Sequence, residues 1–591
     1  MGSLLAALIR RRPPTGTPGE GGRPGQGADA SRQGWRRWGV LAGLLAVLAT
    51  FPLCRSGYLR EAFTDIDEVI YLVTADAMAQ GQRLYTDIWD HKPPLLYHLY
   101  GWVLRADPSV RAIRWCALFL AAGNTLLVFL LARRLFSAAG GVAAAWLFAV
   151  FTGFYWANAL QTELFLVLLQ LAALLVLLRR PGPFGRPVRL FLVGLLFGAA
   201  CMIKYVALFT FVPLALLAAW GGREHGGWRK AAGGLAAGVA GFAAVPVFYL
   251  VTMGLDGTLA DAYAATVSYN AVYVSHDAWK LFVTYGRFFL LDFAREQWFL
   301  LALGFGGAAL AAARLRRATD REASFARALV LVWLGASLVA AASPLKFLHH
   351  YNYMFLPGLC CFAGIFFSRE SAPGAPPGGR RGPGRFRAAL PVAAAAAILA
   401  ATAPLVVVQA RENRERLRSL PERVESSNHE SVLLGRYLRR HTAPGERIYL
   451  WRNYYLDTYF YAGRLPASRV FVWFYWLRDF PPPGGFAALE TDFRRHPPVY
   501  IVTGGSDILA GRDFPPMERI LREEYREEQL PDALRNRLTP TRRDQVRLFR
   551  RIQPPLPFLR DVPSRTFLRG VPSRTFLRGV PPRTFLQALP A

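Results

Sequence analysis

Apolar stretches long enough to cross a lipid bilayer recur along most of the chain. A helix that crosses the hydrocarbon core needs about 17 to 25 residues. Stretches of roughly this length lie at 38–54, 110–135, 138–157, 158–178, 188–204, 205–220, 231–252, 296–313, 326–343, 353–368 and 388–409. They predict an α-helical polytopic membrane protein with about eleven transmembrane helices.

The composition argues against an ordinary soluble enzyme. Hydrophobic residues make up 53% of the chain and charged residues only 19%, whereas a typical soluble domain has about 25% charged residues. The net charge of +30 is, in so apolar a chain, more typical of the basic loops that set membrane topology than of a nucleic-acid-binding surface. We therefore expect no nucleic-acid partner.

Basic residues are concentrated in alternate connections between the apolar stretches. They precede the first stretch and follow the second, fourth, sixth, eighth and tenth. Because basic loops are retained on the cytoplasmic side, we expect the N-terminus in the cytoplasm and the segment after residue 409 outside it. The predicted location is a bacterial-type cytoplasmic (inner) membrane, with membrane lipid as a partner.

Composition also divides the chain into parts. We predict a basic, disordered cytoplasmic N-terminus at 1–37, a transmembrane domain at 38–409 with a first outer loop at 55–109, an extracytoplasmic α/β domain at 410–555, and a disordered tail of nonapeptide repeats at 556–591. Pro and Gly in every repeat unit are typical of a segment without a packed core.

The part after residue 410 has the pattern of a water-soluble α/β unit, in which helical patterns alternate with short β-rich runs. The predicted helices are 430–440 and 486–495, and the predicted strands are 447–451, 470–473 and 499–502. Such alternation is typical of a small parallel sheet.

The first outer loop is locally acidic and contains a predicted helix. Gly81 follows its apolar positions as a stop signal. These positions, which recur at helical spacing, are Ile66, Val69, Ile70, Val73 and Ala77. We expect an amphipathic helix that lies on the membrane face.

Asp65, Asp67 and Glu68 form an acidic cluster at the start of this helix. Charged side chains at a membrane boundary are costly, which makes the cluster a candidate site where a carboxylate takes a proton from an incoming hydroxyl. The alternative is helix capping, because Thr64 with Asp67, and Asp65 with Glu68, have the spacing of a capping pair.

Three isolated lysines fall on the predicted outer side, where positive residues are scarce. Lys92 precedes a Pro-Pro pair, Lys204 separates the fifth and sixth stretches, and Lys346 lies in the 344–351 segment. Together they indicate a shared anionic ligand such as a lipid phosphate. The alternative is that each is a membrane anchor whose ammonium extends to the interface.

Two further features lie near the outer ends of the stretches. Glu163 precedes an apolar run and needs a partner or a polar cavity, although helix capping beside Thr162 is the simpler interpretation. His349 and His350 are adjacent and point to different helix faces, and no carboxylate nearby completes a ligand set. We therefore predict no metal site and no cofactor, with a divalent metal left open.

Several short motifs resemble those of a known enzyme family. They are Asp67-Glu68-x-x-Tyr71, Ala75, Gly81, Leu84-Tyr85-x-Asp87 and Lys92-Pro93-Pro94-Leu95, and later in the chain Lys346, His350-Tyr351 and Pro357. They resemble the first-loop and late-loop patterns of the polytopic C-type glycosyltransferases, specifically the family 39 relatives of protein O-mannosyltransferases and lipid A aminoarabinose transferases. The resemblance extends over about residues 38–410.

This resemblance implies the C-type glycosyltransferase fold and a polyprenyl-phosphate sugar as donor. It implies that Asp67 is the catalytic base, that Glu68 assists it in donor or acceptor binding, and that Lys92, Lys204 and Lys346 contact the donor phosphate. The remaining candidates for substrate binding are Asp65, Tyr71, Tyr85, Asp87, His91, Glu163, His350 and Tyr351. Transfer to an acceptor hydroxyl on the extracytoplasmic face would then invert the anomeric centre.

The sequence around Lys92 departs from the aminoarabinose transferases. Those enzymes have a longer Glu-Lys-Pro-Pro-Leu run that ends in Tyr-Trp, whereas this chain has Asp90-His91-Lys92-Pro93-Pro94-Leu95-Leu96-Tyr97-His98. The acceptor is therefore open and could be a glycan, a lipid or a protein.

Two other function classes compete with the enzyme. A multi-span transporter or flippase of a lipid-linked or anionic substrate would suit the number of spans, but transporters usually contain internal repeats and broken midplane helices, and the sequence indicates neither. A sensor or assembly scaffold would tolerate neutralisation of the acidic cluster. The concentration of charges in loops at one membrane face favours the enzyme.

Overall fold

The computed structural model describes most of the chain between residues 26 and 552. The undescribed residues within that range are 64, 154–157, 180–185, 225–226, 276–277, 316–319, 369–384, 428, 453–454, 477–481, 505–514 and 539–545. The predicted nonapeptide tail, 556–591, and residues 1–25 of the predicted N-terminal segment lie outside the described residues.

Helices occupy every stretch that the sequence predicts to cross the membrane. The first nine helices are α1 (Gln26–Arg55), α2 (Ile66–Ala79), α3 (Leu95–Ala106), α4 (Val110–Leu135), α5 (Ala138–Phe151), α6 (Thr162–Leu177), α7 (Arg186–Cys201), α8 (Ala207–Glu224) and α9 (Gly227–Leu255). The next seven are α10 (Leu259–Tyr263), α11 (Tyr269–Ser275), α12 (Ala278–Leu281), α13 (Arg287–Leu315), α14 (Arg321–Ala342), α15 (Leu356–Ala363) and α16 (Arg385–Ser419). Helices α2 and α3 belong to the predicted first outer loop.

Six helical segments in the described residues are long and apolar enough to cross a membrane. They are Trp38–Arg60, Val110–Leu135, Gly227–Leu255, Arg287–Leu315, Arg321–Ala342 and Pro391–Ser419. Shorter apolar helices are Ala138–Phe151, Thr162–Leu177, Ala207–Gly221 and Leu356–Phe367. The prediction of a helical, multi-pass membrane protein is confirmed, and the count of eleven crossings stays a prediction.

The boundary predicted for the N-terminal segment is wrong. Residues 26–37, expected to be disordered, belong to α1, which begins at Gln26. The last proline before the apolar stretch is Pro24. Proline interrupts helices because it lacks a backbone donor. The residues between Pro24 and the apolar stretch contain no proline, so the helix is able to begin before that stretch.

The C-terminal part contains a four-stranded sheet flanked by helices. Its helices are α17 (Glu430–His441), α18 (Thr458–Ala462), α19 (Gly485–Arg495), α20 (Pro515–Glu524) and α21 (Asp532–Arg535). Its strands are β1 (Ile448–Trp451), β2 (Tyr500–Thr503), β3 (Tyr525–Glu528) and β4 (Arg547–Arg551). The strand order is β1-β2-β4-β3. The expected α/β character is therefore present.

The sheet is mixed, not purely parallel as predicted. Strands β1 and β2 are parallel, with Ile448 opposite Tyr500, whereas β4 is antiparallel to both β2 and β3. The predicted strand 470–473 is wrong, because its backbone bonds to side chains: the Val470 carbonyl accepts from the Tyr449 hydroxyl and its N–H donates to Ser468. A 3₁₀ turn, Trp473–Tyr475, follows.

Glycines allow α7 and α9 to approach each other closely. A Cβ added at Gly194 would collide with the Gly238 carbonyl oxygen, and one added at Gly198 would collide with the Phe242 carbonyl oxygen. A Cβ at Gly241 would lie only 2.8 Å from the carbonyl carbon of Phe191. Small residues at helix interfaces are a general means of packing helices in membranes. The α7–α9 contact therefore depends on missing side chains.

We predict that Gly241→Ala destabilises the protein by about 1 to 3 kcal/mol, the usual cost of overpacking a tight interface. Gly233→Ala, on the same helix, is the control because no atom lies within 4 Å of the added Cβ. The difference is measured as a shift in the thermal midpoint of the detergent-purified protein. The midpoint is the temperature at which half of the monodisperse protein is lost. Equal midpoints for the two variants would contradict the packing argument.

Candidate functional site

Helix α2 begins at a side-chain cap and ends at a glycine. The Asp65 carboxylate accepts hydrogen bonds from the backbone N–H groups of Asp67 at 2.8 Å and Glu68 at 3.3 Å. Gly81, with a φ of 89°, follows the last turn, as its sequence position predicted. Asp65 thus takes the capping role that was the alternative interpretation for this acidic cluster.

The predicted one-sided amphipathic character of α2 is wrong. Residues 68–75 are all buried, and so is Ala77. The helix therefore packs against protein on nearly every side instead of presenting a polar face to water. Acidic side chains near the start of this helix therefore lie in poorly solvated surroundings, which affects the pKa of Asp65. Burial, together with the charges of Asp67 and Glu68, raises the pKa of Asp65 to about 7.

Glu68 is held in a buried ion pair with Arg114 of α4. The Arg114 guanidinium donates to both carboxylate oxygens, at 3.0 and 2.9 Å, and to the carbonyl oxygen of Ala62 at 2.8 Å. Glu68 also accepts from the backbone N–H of Leu160 at 2.7 Å. Its oxygens are thus engaged by protein groups, an arrangement suited to fixing α2 against α4.

Glu163 and Lys204 form a second buried ion pair. Glu163 also accepts a hydrogen bond from the Thr162 hydroxyl at 2.8 Å, and the Lys204 ammonium lies 4.1 Å from the ring centroid of Tyr351, a cation–π contact. The structure therefore brings these predicted residues together. Part of the positive charge of Lys204 is already matched by Glu163.

Lys92 lies in the loop before α3, beside its predicted neighbour His91. The Lys92 ammonium is 3.3 Å from Nε2 of His91, and the Tyr85 hydroxyl donates to the Lys92 carbonyl oxygen at 2.8 Å. Burial lowers the pKa of Lys92, but the charges of Asp67 and other acidic groups outweigh it, so the pKa is raised overall. Lys92 therefore carries a positive charge at neutral pH.

Asp67 lies close enough to Lys92, Lys204 and His350 for its negative charge to raise the pKa of each of them. Burial lowers the pKa of His350, so its imidazole is neutral at pH 7. Among the residues that the structure describes, no protein group donates a hydrogen bond to the Asp67 carboxylate, which is half-buried. Asp67 is thus the acid of the cluster whose oxygens stay available.

Lys346 contacts Tyr273 and lies in a segment whose backbone is strained. Its ammonium is 3.3 Å from the ring centroid of Tyr273. The residues on either side, Leu345 and Phe347, have φ values of 53° and 47°. Non-glycine residues adopt this left-handed conformation at an energetic cost and often do so at functional sites. Such strain persists only where surrounding contacts fix the backbone, so Lys346 has a defined position.

Two predicted site residues serve the local structure. Asp87 accepts hydrogen bonds from the backbone N–H and the guanidinium of Arg83, both at 3.0 Å, and closes a partly exposed turn. Tyr71 is fully buried, with its ring edge-on to Tyr97 and Tyr100. The structure places Asp87 in a turn and Tyr71 in the core beneath the acidic cluster.

Three residues of this region were not predicted from the sequence to belong to the site. Arg114 is the partner of Glu68, Asp90 is a buried carboxylate beside His91, and Tyr475 of the C-terminal part reaches both Asp90 and His91. Asp90 had a usable signal, since it precedes His91 in an apolar setting. No local pattern indicates Tyr475, because 384 residues separate it from His91.

The adjacent histidines His349 and His350 are the residues that would first suggest a metal site. Within the described part of the chain, no group of three or more His, Cys, Asp or Glu side chains is arranged to hold a metal ion. His349 contacts the Phe289 ring edge-on, whereas His350 lies near Glu163 and Lys204. The two histidines thus have different surroundings.

Comparisons with known proteins identify the architecture. Residues 91–250 match the family model described as dolichyl-phosphate-mannose-protein mannosyltransferase. ArnT from Cupriavidus metallidurans, solved with undecaprenyl phosphate, is similar with a TM-score of 0.53 and 15% identity, over 87% of this chain and 98% of that one. No curated protein sequence matches the chain.

A second solved structure is also similar. It is the archaeal oligosaccharyltransferase AglB from Archaeoglobus fulgidus, in complex with an inhibitory peptide and a dolichol-phosphate. Its TM-score is 0.50 at 15% identity, over 84% of this chain and 74% of that one. The chain therefore has the C-type glycosyltransferase fold, as the motifs predicted. The family-model match and the fold support the expected glycosyltransferase, and no comparison supports a transporter.

We predict that Glu68→Gln destabilises the protein by about 3 to 5 kcal/mol, because it leaves Arg114 as a buried charge without a counterion. The double variant Glu68→Gln/Arg114→Gln should recover part of that loss, since it removes both charges. Thermal midpoints in detergent measure the effect. A Glu68→Gln protein that loses transfer activity at wild-type stability would instead indicate a direct role in the reaction.

Proposed function

We propose that this membrane glycosyltransferase moves a sugar from a polyprenyl-phosphate donor to an acceptor hydroxyl at the extracytoplasmic face, with inversion. The observation that carries the proposal is the placement of one available carboxylate, Asp67, beside the charged Lys92 and the Lys204–Glu163 pair. A carboxylate and cations held together in a poorly solvated pocket match the charges that such a reaction develops.

Asp67 is proposed as the general base. Asp65 caps the helix and Glu68 binds Arg114, so both neighbours are committed to protein contacts and Asp67 is left to accept a proton. Removal of that proton from the acceptor hydroxyl would let its oxygen attack the anomeric carbon opposite the leaving phosphate. Attack from the opposite face inverts the anomeric configuration. Glu68 then acts by holding α2 and, with it, Asp67.

The lysines are proposed to bind the phosphate that leaves. Polyprenyl phosphate gains negative charge as the glycosidic bond breaks, and fixed cations stabilise that charge in a site with little water. Lys92 and Lys346 are the principal candidates, and Lys204 contributes less because Glu163 already pairs with it. Tyr351 and His350 flank Lys204 and are proposed to contact the substrate.

The acceptor and the membrane orientation belong to the same proposal. The alternating basic connections support a cytoplasmic N-terminus and an extracytoplasmic C-terminal α/β domain. Since AglB was solved with a peptide and ArnT with undecaprenyl phosphate, the fold accommodates both kinds of ligand in other proteins. The acceptor is a glycan, a lipid or a protein, and the C-terminal part contacts the first outer loop at Trp89, Asp90 and His91.

Asp67→Asn is expected to lower sugar transfer at least about a hundredfold, since the amide keeps the size but takes no proton. The assay is transfer from a radiolabelled polyprenyl-phosphate sugar by membranes that contain the protein. Asp76→Asn is a matched control on the same helix, where the Asp76 carboxylate accepts a hydrogen bond from the Gln80 amide. Near wild-type transfer by Asp67→Asn at normal membrane level would refute the assignment of the base.

A cytoplasmic reporter fused after Gln409 is expected to be inactive, and a periplasmic reporter at the same position active. Alternation of basic connections over about eleven predicted spans puts the segment after this residue on the extracytoplasmic side in the proposal. Reporters fused after Arg180 serve as the control and should give the reverse result, because that connection is basic. Cytoplasmic activity after Gln409 would refute both the span count and the side of the site.

A further inference from the structure

A chain of buried polar groups lies behind the Lys92 ammonium. The Asp90 carboxylate is 3.1 Å from Nδ1 of His91, and Nε2 of the same ring is 3.3 Å from Nζ of Lys92. Asp90 is 1% exposed and His91 is 3% exposed. Three successive residues of the sequence therefore form one continuous hydrogen-bonded series, with the imidazole between the acid and the ammonium.

The partners of His91 determine where its proton lies. A lysine ammonium has only donors, so Nε2 of His91 must accept from Lys92 and carries no hydrogen. Nδ1 then carries the hydrogen and donates it to Asp90, because a buried carboxylate only accepts. This arrangement gives each of the three groups a matched partner and gives the Lys92 ammonium a fixed direction.

The surrounding protein holds this series rigidly. The Tyr97 hydroxyl donates to the other Asp90 oxygen at 2.6 Å, and the Asn270 amide donates to the His91 carbonyl oxygen at 2.7 Å. The rings of Tyr269, Tyr273 and Trp89 pack around the imidazole at centroid distances of 5.6, 5.0 and 6.3 Å. The imidazole is thus fixed by contacts from three different parts of the chain.

The C-terminal part supplies one member of this shell. The Tyr475 hydroxyl lies 3.3 Å from Nδ1 of His91 and 3.5 Å from the Asp90 carboxylate. The carbonyl oxygen of Arg469 accepts from the backbone N–H of Trp89 at 2.9 Å. The first outer loop and the C-terminal part therefore meet directly at the residues that orient Lys92.

We propose that His91 is a positioning residue, held by Asp90 and Tyr475, that aims the Lys92 ammonium at the donor phosphate. This rests on the proposed function, in which Lys92 binds that phosphate. A lysine side chain loses considerable rotamer entropy when it is fixed, and a pre-set acceptor removes that cost from binding. One ammonium hydrogen is bound to His91, which leaves two for phosphate oxygens.

The same contact keeps Lys92 apart from the base. Lys92 feels the charge of Asp67, yet among the described residues the two do not form an ion pair. Direct pairing would neutralise the phosphate contact and would also occupy the carboxylate that must take a proton. By holding the ammonium, His91 keeps both charges available.

The test measures equilibrium binding of undecaprenyl phosphate to the detergent-purified full-length protein. We first expect Lys92→Ala to weaken binding about tenfold or more, the loss of one charge-assisted contact. His91→Phe, which keeps a ring but removes both nitrogens, should weaken binding by about five- to tenfold. His91→Gln should recover most of this loss, because its amide oxygen reaches the region of Nε2 and can accept from Lys92.

A double-variant cycle separates positioning from a purely structural role. His91→Phe should cause little further loss in a Lys92→Ala background, since no ammonium remains to be aimed. Equal losses in both backgrounds would overturn the proposal, as would wild-type binding by His91→Phe. If Lys92→Ala itself binds like wild type, the phosphate role in the proposed function fails and the proposal fails with it.

Tyr475→Phe is a milder variant for use if the His91 variants fold poorly, because it keeps the aromatic ring and removes only the hydroxyl. It should weaken undecaprenyl phosphate binding about two- to fourfold through loss of one long hydrogen bond to the Asp90 carboxylate. Tyr437→Phe is the matched control in the C-terminal part, where the Tyr437 ring stacks on His441 at 4.0 Å, and its binding should be unchanged. Wild-type binding by Tyr475→Phe would overturn the role given to the C-terminal part.

Discussion

The buried ion pair between Glu68 and Arg114 fixes the helix on which the candidate base is carried. Removing two charges from water is costly, and the attraction between them repays that cost only when the geometry is good and the remaining oxygens are satisfied. Here Glu68 also accepts from the Leu160 N–H, and Arg114 also donates to the Ala62 carbonyl. The pair therefore joins α2 to α4 and to the segment before α6. The position of Asp67 relative to the lysines follows from this attachment.

The charges around Asp67 divide into committed and available groups. Asp65 caps α2, Glu68 binds Arg114 and Glu163 binds Lys204. Each of these contacts lowers the cost of a charge in poorly solvated surroundings. Among the described residues of this cluster, the Asp67 carboxylate accepts no hydrogen bond from protein, and the Lys92 ammonium keeps donors beyond its contact with His91. These two groups match the charges involved in the proposed activation of a hydroxyl and departure of a phosphate.

The sequence predicted the helical membrane fold and the acidic and basic residues that make up the candidate site, because both depend on local composition and spacing. Composition and spacing alone left open which acid caps the helix. Asp65 and Asp67 are two residues apart and equally acidic, and only the hydrogen bonds at the helix start show that Asp65 is the cap. Long-range partners left no local signal either, since Arg114 binds an acid 46 residues earlier. Strands β3 and β4 were missed because their charged side chains hide the alternation that marks a half-buried strand.

The contact between Tyr475 and the Asp90–His91 pair gives the C-terminal part a place in the chemistry of the membrane domain. Loops that carry catalytic groups are ordinarily the more mobile parts of a protein, and the loop before α3 has two prolines but no regular structure of its own before Leu95. Backbone and side-chain hydrogen bonds from the C-terminal part hold it at Trp89, Asp90 and His91. Because Lys92 is the next residue, any movement of the C-terminal part away from this loop would also release the ammonium. With Lys92 as the proposed phosphate contact, docking of the C-terminal part and binding of a lipid phosphate would be thermodynamically linked, so a ligand that favours one would favour the other.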